Sequence, residues 1–268
     1  MESSDALLSF HHSFYECLHR RSDALFDLAD AILSTDAALP SPVHLSLQPA
    51  HRRGWGSFYA ALARGRIDAG LLRELLVRHP LAGSAATPVF AVDESVWPRC
   101  DAECSPERGY YYHPSRHSAG QPIVAGWAYQ FIAQLGFARE SWTAPVDVER
   151  VRPAQDANVV AAGQVKALLG RLGREELAIP LFVFDAGYDP VKLQRGLERS
   201  PCQILVRLRA GRRFYGDPIP SDPARTRRTP SSPRAEDEVL RCCHLARALS
   251  RASLRGGRLR LRARAGVG

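Results

Sequence analysis

Two short apolar runs that each end on an aspartate constrain the fold of this 268-residue chain most strongly. The first run, Pro-Val-Phe-Ala-Val, ends at Asp93, and the second, Leu-Phe-Val-Phe, ends at Asp185. Runs of four or five apolar residues bounded by turn-forming residues are typical of strands buried on both faces. In open α/β sheets, the carboxyl ends of neighbouring parallel strands meet at one edge, where binding sites form. The two runs therefore predict an α/β fold with a site at Asp93 and Asp185.

The segments around these runs predict an α/β core with the order β-β-β-α-β-α-β. A helix is predicted after Pro153 with Asp156 as its N-cap, and a second helix begins at Asp189-Pro190, where proline suits the first helical position. The predicted strands are 88–93, 109–113, 123–135, 181–185 and 202–208.

The first 80 residues have a helical period instead. One amphipathic stripe is predicted from the spacing of Phe14, Leu18, Leu25, Leu28 and Ile32. Further helices are predicted at about 56–63 and after Asp68, a potential N-cap. We divide the chain into an N-terminal helical region (1–84), which we expect to serve DNA binding or assembly, the core (85–215) and a tail (216–268).

Basic residues between the first helices have two readings. The segment "HRRGW" places Arg52 and Arg53 on a connection or a first helical turn. They are candidates for contacts with DNA phosphates, and a solvated basic turn explains them equally well.

The net charge of +8 is concentrated in the tail, which holds 12 Arg, no Lys, five acidic residues and no aromatic residue. One hypothesis is that the chain leaves its ancestral reading frame shortly after Tyr215, because GC-rich DNA read in a wrong frame yields mainly Arg, Ala, Pro, Gly and Ser. The alternative is a flexible arm whose arginines bind phosphates. Both hypotheses predict a disordered tail without a packed core.

Several classes of protein are disfavoured by what the sequence lacks. It contains no apolar run of roughly 18 residues and no basic segment followed by an apolar stretch at its start, so we expect neither a membrane span nor a secretory signal. Six cysteines without framework spacing indicate a reduced, cytoplasmic protein. Nucleotide-binding and hydrolase fingerprints such as G-x-x-x-x-G-K-[ST] and G-x-S-x-G are also absent.

One set of potential zinc ligands has the spacing C-x3-C-x8-H-x3-H. Its members are Cys100, Cys104, His113 and His117. All four could ligate zinc, but a predicted strand interrupts the set, and ordinary polar loop residues are the alternative. Arg116 and His117 are also candidates for phosphate contacts near the predicted edge.

The chemistry open to Asp93 and Asp185 follows from their charge. Converging carboxylates repel and raise each other's pKa unless a cation neutralises them. Mg²⁺ accepts one or two carboxylates together with water and phosphate oxygens, and paired ions support phosphodiester chemistry. An aspartate that follows a strand is also a common turn residue or helix cap, so the pattern alone leaves both roles open.

Taken together, these segments resemble the DDE transposases of bacterial insertion sequences, which have an RNase H-like catalytic core. The resemblance covers about residues 10–215 and rests on "VFAVDESVWPR", "RGYYYHPSRHSAGQPIVAGWAYQFIAQL" and "LFVFDAGYDP". It implies metal-dependent cleavage and transfer of DNA strands, with Asp93 and Asp185 as catalytic residues and ligands of Mg²⁺ or Mn²⁺. It also implies transposon-end DNA as the partner and allows a homodimer.

The family has a third acidic ligand, usually a Glu on a helix beyond the fifth strand. Glu236, Asp237 and Glu238 lie in that part of the chain, but the family's pattern does not surround them and none is assigned the role. The resemblance therefore describes a transposase that is truncated or frameshifted at its C-terminus. Two alternatives remain: a non-catalytic DNA-binding remnant or regulator of transposition, and another RNase H-like nuclease.

Overall fold

The computed structural model describes residues 2–36, 41–81, 87–113, 122–136, 143–173 and 178–212. The described residues as far as Arg209 form one compact unit. The proposed boundary at 84–85 and the tail 216–268 lie outside the described residues, so the division into regions stays a prediction.

The N-terminal helical region contains five helices and a short pair of strands among its described residues. Its elements are α1 (Glu2–Glu16), β1 (Leu18–Arg20), α2 (Ser22–Leu33), α3 (Pro42–Ser46), α4 (Trp55–Arg64), β2 (Arg66–Ile67) and α5 (Ala69–Arg78). The predicted cap of α5 is confirmed, because the Asp68 carboxylate accepts the Leu71 N–H at 3.0 Å.

The prediction of one continuous amphipathic helix around residues 14–32 is wrong. β1 separates α1 from α2, and it pairs antiparallel with β2 so that Leu18 lies opposite Ile67. Arg21 then adopts a left-handed conformation, with φ of 59°, before α2 begins. The apolar spacing does not reflect one buried stripe, because Ile32 is 51% exposed whereas Leu18 and Leu28 are buried.

The core contains six strands and two helices among its described residues. In chain order these are β3 (Val89–Pro98), β4 (Gly109–Tyr112), β5 (Ile123–Leu135), β6 (Thr143–Val151), α6 (Ala157–Leu172), β7 (Leu181–Phe184), α7 (Pro190–Leu197) and β8 (Gln203–Val206). The predicted α/β core is confirmed, with one strand, β6, added to the predicted order.

The strands form one mixed sheet with the order β4-β5-β3-β7-β8. β3, β7 and β8 are parallel, whereas β5 runs antiparallel to β3. β6 pairs with β5 on the edge that β4 also uses: β4 covers Ile123 to Gly126, and β6 covers Ala128 to Leu135. The parallel pairing thus places the end of β7 beside the middle of β3, just after Val92, at the centre of the sheet.

Two strand predictions need correction. β6 was not predicted, because Pro145 interrupts its pattern and prolines are depleted in strands; the register with β5 shifts at this point. β3 does not end at Asp93 but continues to Pro98, because β5 pairs with it residue by residue as far as Gly126. Asp93 therefore lies within an antiparallel ladder as well as at the end of a parallel one.

The hydrophobic core of the unit lies between the sheet and the helices α6 and α7. Strand residues such as Phe90 and Phe182, whose rings stack at 5.2 Å, pack against Val165 and Leu168 of α6 and Leu193 of α7. Gly196 permits the close approach of the two helices, since a Cβ there would lie 2.9 Å from the Cβ of Ala162.

Both predicted helix caps in the core are confirmed. Asp156 accepts the Asn158 N–H at 2.9 Å, and Asp189 accepts the Val191 N–H at 2.8 Å. Asp156 also pairs with Lys192 of α7 at 2.6 Å. The Lys192 ammonium and the Asn158 hydrogen bonds lower the pKa of Asp156 to about 2, so this carboxylate is ionised and joins the two helices at neutral pH.

None of the helices in the described part of the chain combines the length and apolarity that crossing a bilayer requires.

We expect Phe182→Ala to lower the free energy of unfolding by about 3–5 kcal/mol, because it removes a fully buried ring and leaves a cavity beside Phe90. Urea denaturation followed by circular dichroism measures the change. Val159→Ala, at a position of α6 that is 69% exposed, is the control and should alter stability by no more than about 0.5 kcal/mol. Equal effects of the two substitutions would contradict the assigned core.

Candidate active site

The register of β3 and β7 places Asp93 and Asp185 side by side. Val92 opposite Phe184 is the last aligned pair of the two parallel strands, and each aspartate follows directly. Neighbouring strands are about 4.8 Å apart, so the two backbones are adjacent at the point where the carboxylates leave them. The convergence predicted from the sequence is present, and both residues are exposed.

Backbone N–H groups orient both carboxylates. Oδ1 of Asp93 accepts the N–H of Glu94 at 2.9 Å, and Oδ1 of Asp185 accepts the N–H of Gly187 at 2.8 Å. A side chain at position 187 would clash with the Asp185 carboxylate, because a Cβ there would lie 2.9 Å from Asp185 Oδ1. Glycine at this position therefore lets the turn after β7 close onto the carboxylate.

The edge of the sheet at Asp93 and Asp185, here called the acidic edge, is electrostatically unfavourable without a cation. Partial desolvation of the carboxyl group and the negative charge of Asp185 raise the pKa of Asp93, and the Glu94 N–H only partly opposes this. Burial, followed by the charges of Asp93 and Asp185, likewise raises the pKa of Glu94. Glu94 lies on the other face of β3, in line with Phe90 and Val92, as alternation along a strand predicts.

Tyr188 belongs to this edge and was not singled out from the sequence. Its ring packs against Phe184 at 5.2 Å, and its hydroxyl donates to Gln130 Oε1 at 3.3 Å. Burial is the main cause that raises its pKa, and the negative charges of Glu94, Asp93 and Asp185 add to it. Tyr188 is therefore a neutral phenol at physiological pH. Its position three residues after Asp185 was the available signal, but spacing does not reveal the hydroxyl's partner.

The donor set at the edge fits a hard divalent cation. Two carboxylates supply the oxygen ligands that Mg²⁺ or Mn²⁺ accept, with waters in the remaining positions, and their mutual repulsion would be relieved by bound charge. Across the described residues, no group of three or more His, Cys, Asp and Glu side chains is arranged to hold a metal. The residues present therefore fit an ion that retains most of its water. Glu236, Asp237 and Glu238 lie outside the described part of the chain.

The basic residues predicted to contact DNA are in different situations. Arg53 donates to Asp23 Oδ2 at 2.8 Å and to Asp27 Oδ2 at 3.1 Å, so its charge is largely compensated within the chain. Arg52 is exposed, and it lines a surface cleft of about 530 Å³ that Arg53 also lines. DNA contacts at both remain predictions, and Arg116 and His117 lie outside the described residues.

The potential zinc ligands gain no support where the structure describes them. The Cys100 thiol donates to the Ala125 carbonyl at 3.7 Å, and Cys104 is an exposed thiol. No cluster of three ligands includes them among the described residues, and His117 is not described.

We expect Asp93→Asn to raise the stability of the metal-free protein. The folded state raises the pKa of Asp93 and so binds its proton more tightly than the unfolded chain does; ionisation therefore costs stability as pH rises through the raised pKa. Asparagine keeps the acceptor for the Glu94 N–H but removes the charge. Urea midpoints in EDTA at pH 7 should increase, and the difference should shrink at pH 4.

Asp101→Asn is the matched control for this prediction. Asp101 is 78% exposed and forms only a surface ion pair with Arg99, so its substitution should leave the midpoint nearly unchanged. A lower midpoint for Asp93→Asn would show that the carboxylate is stabilised by its surroundings instead.

Comparison with known proteins assigns the family. The family described as DDE superfamily endonuclease matches residues 13–264. A solved structure, the piggyBac transposase synaptic complex with hairpin DNA, has a TM-score of 0.42 and 12% sequence identity with this chain. The alignment covers 76% of this chain and 45% of that one, so this chain spans less than half the length of the solved protein. No curated protein matches. The family match extends over most of the sequence, and the chain belongs to the DDE superfamily endonucleases.

Proposed function

We propose that this chain is a transposase-like enzyme that cleaves and transfers DNA strands with a divalent metal ion. The observation that supports this most directly is the register of β3 and β7, which sets Asp93 beside Asp185 directly after the last pair of the parallel ladder. Membership of the DDE superfamily endonucleases agrees with it. Transposon-end DNA as the partner, a homodimer, a bacterial insertion-sequence origin and a cytoplasmic location remain predictions.

The proposed roles follow from the geometry of the edge. Asp93 and Asp185 would hold Mg²⁺ or Mn²⁺ through carboxylate oxygens that the Glu94 and Gly187 amides leave free. When bound, such an ion activates a water or 3′-hydroxyl and stabilises charge on the phosphate. Both aspartates are exposed, so a DNA backbone can approach them.

We expect Asp93→Asn and Asp185→Asn each to reduce nicking of supercoiled plasmid in Mg²⁺ or Mn²⁺ by at least about 100-fold, because loss of a direct ligand should exceed the 10–100-fold effect of its supporting groups. Gel electrophoresis of the relaxed product measures the rate. Asp101→Asn, the matched exposed substitution, should retain wild-type nicking. Equal rates for wild type and Asp93→Asn would remove the proposed catalytic role.

We keep a second function, DNA binding without catalysis, as a prediction, because the sequence surrounds none of Glu236, Asp237 and Glu238 with the family's pattern and the third acidic ligand is unassigned. On this alternative the protein binds transposon ends or inhibits a complete transposase.

The two functions differ in how Asp185→Asn should behave. If the protein only binds DNA, fluorescence anisotropy with a labelled duplex should show affinity that falls steeply with salt and is unchanged by Asp185→Asn, and wild type should not nick plasmid. Metal-dependent nicking by wild type that the substitution abolishes would exclude the alternative.

A further inference from the structure

A chain of buried polar side chains extends from the acidic edge to the N-terminal helical region. It begins at Tyr188, passes through Gln130 of β5, Gln164 of α6 and Asp147 of β6, and ends at Arg73 of α5. We call these five residues the polar chain. Gln130 is fully buried and the exposure of Gln164, Asp147 and Tyr188 is 6% or less, so each depends on its neighbours for hydrogen bonds.

The hydrogen bonds of the polar chain run in one direction. The Tyr188 hydroxyl donates to Gln130 Oε1, Gln130 Nε2 donates to Gln164 Oε1 at 2.7 Å, and Gln164 Nε2 donates to Asp147 Oδ2 at 3.3 Å. Arg73 completes it, with Nε donating to Asp147 Oδ1 and Nη2 donating to the Val148 carbonyl at 2.9 Å. The buried Asp147 carboxylate is therefore neutralised by a cation from the N-terminal helical region.

The amide of Gln130 is oriented by this network. Reversing it would let the amide donate to the Ala157 carbonyl at 3.1 Å and accept the Ala161 N–H at 2.9 Å, but it would set the Gln130 oxygen 2.7 Å from Gln164 Oε1. The Tyr188 hydroxyl can bond the Gln130 amide in either orientation, because a hydroxyl both donates and accepts. Turning Gln164 as well would place its oxygen against the Asp147 carboxylate. Only the orientation used above gives every link from Tyr188 to Asp147 a donor and an acceptor.

The turn after β7 is attached to the core through its last two residues. Tyr188 is held by Gln130, and the N–H of Asp189 donates to Asn158 Oδ1 of α6 at 2.8 Å. The other end of the turn is Asp185, whose carboxylate accepts the Gly187 N–H. Because only Ala186 and Gly187 separate Asp185 from Tyr188, the orientation of this carboxylate depends on where the tyrosine is held.

We propose that Tyr188 is a positioning residue for Asp185, and that Arg73 contributes to the same positioning from the far end of the polar chain. The affinity of the acidic edge for a divalent cation then depends on the contact between α5 and β6. A change in the N-terminal helical region that withdraws Arg73 would weaken cation binding at the edge without touching it. This inference rests on the proposed function, since it takes Asp93 and Asp185 to be the metal ligands.

The test measures Mn²⁺ binding by isothermal titration calorimetry on the full chain without DNA. Tyr188→Phe keeps the ring against Phe184 but removes the hydroxyl, and it should weaken Mn²⁺ binding about 10-fold or more, as loss of a group that orients a metal ligand does. Tyr15→Phe is the matched control, because it removes a hydroxyl that donates to Asp23 in the N-terminal helical region. It should bind Mn²⁺ as wild type does.

Arg73→Lys tests the far end of the polar chain. Lysine keeps the positive charge but cannot bond both Asp147 and the Val148 carbonyl as the guanidinium does, and the side chain is only partly buried, so the fold should tolerate the change. Mn²⁺ binding should weaken in this variant too. If the five residues of the polar chain act as a unit, the Tyr188→Phe/Arg73→Lys double variant loses less Mn²⁺ affinity than the product of the two single losses.

Each outcome separates the inference from the proposed function. If Asp93→Asn abolishes Mn²⁺ binding but Tyr188→Phe binds like wild type, the inference is overturned and the metal site stands. Losses in the two single variants that simply multiply in the double variant would overturn the role of Arg73. If wild type and Asp93→Asn bind Mn²⁺ equally, both proposals fall. Tyr188-dependent binding without plasmid nicking would support the inference and overturn the proposed strand cleavage.

Discussion

The parallel pairing of β3 with β7 is the interaction on which the rest of the structure depends. It joins segments that are distant in sequence, and it exists because Phe90, Val92, Phe182 and Phe184 share one buried layer beneath α6 and α7. The helix α6 forms part of the long connection between the two strands, which parallel neighbours need. Any shift of register between the two strands would separate Asp93 from Asp185. The hydrophobic core thereby fixes the geometry of the candidate site.

This geometry has an electrostatic cost that the surroundings only partly offset. Burial raises the pKa of Glu94, and the nearby aspartates add to the effect, while single backbone amides support Asp93 and Asp185. Tyr188 contributes a neutral hydroxyl and no charge. Because this hydroxyl bonds Gln130, it does not offset the negative charge of the aspartates. Under the proposed function, we expect such an arrangement to gain stability when a divalent cation binds, because bound positive charge relieves the repulsion between the carboxylates.

Sequence reasoning succeeded where local physics decides the outcome. The apolar runs before Asp93 and Asp185, and the caps Asp68, Asp156 and Asp189, carry their structural signal within a few residues, and the structure confirms them. It failed where a distant partner overrides the local pattern. β6 forms despite Pro145 because β5 offers an unpaired edge, and the expected single N-terminal helix is broken because Leu18 pairs with Ile67.

The amino-acid sequence by itself determined the α/β class, the two apolar runs that precede Asp93 and Asp185, and the family to which the chain belongs. Only the tertiary structure decided that Tyr188, Gln130, Gln164, Asp147 and Arg73 form one polar chain. Hydrophobic periodicity reports which face of an element is buried, because that face repeats along the element. A hydrogen bond between single side chains on different elements repeats nowhere, so its partners become known only when packing has set the distances.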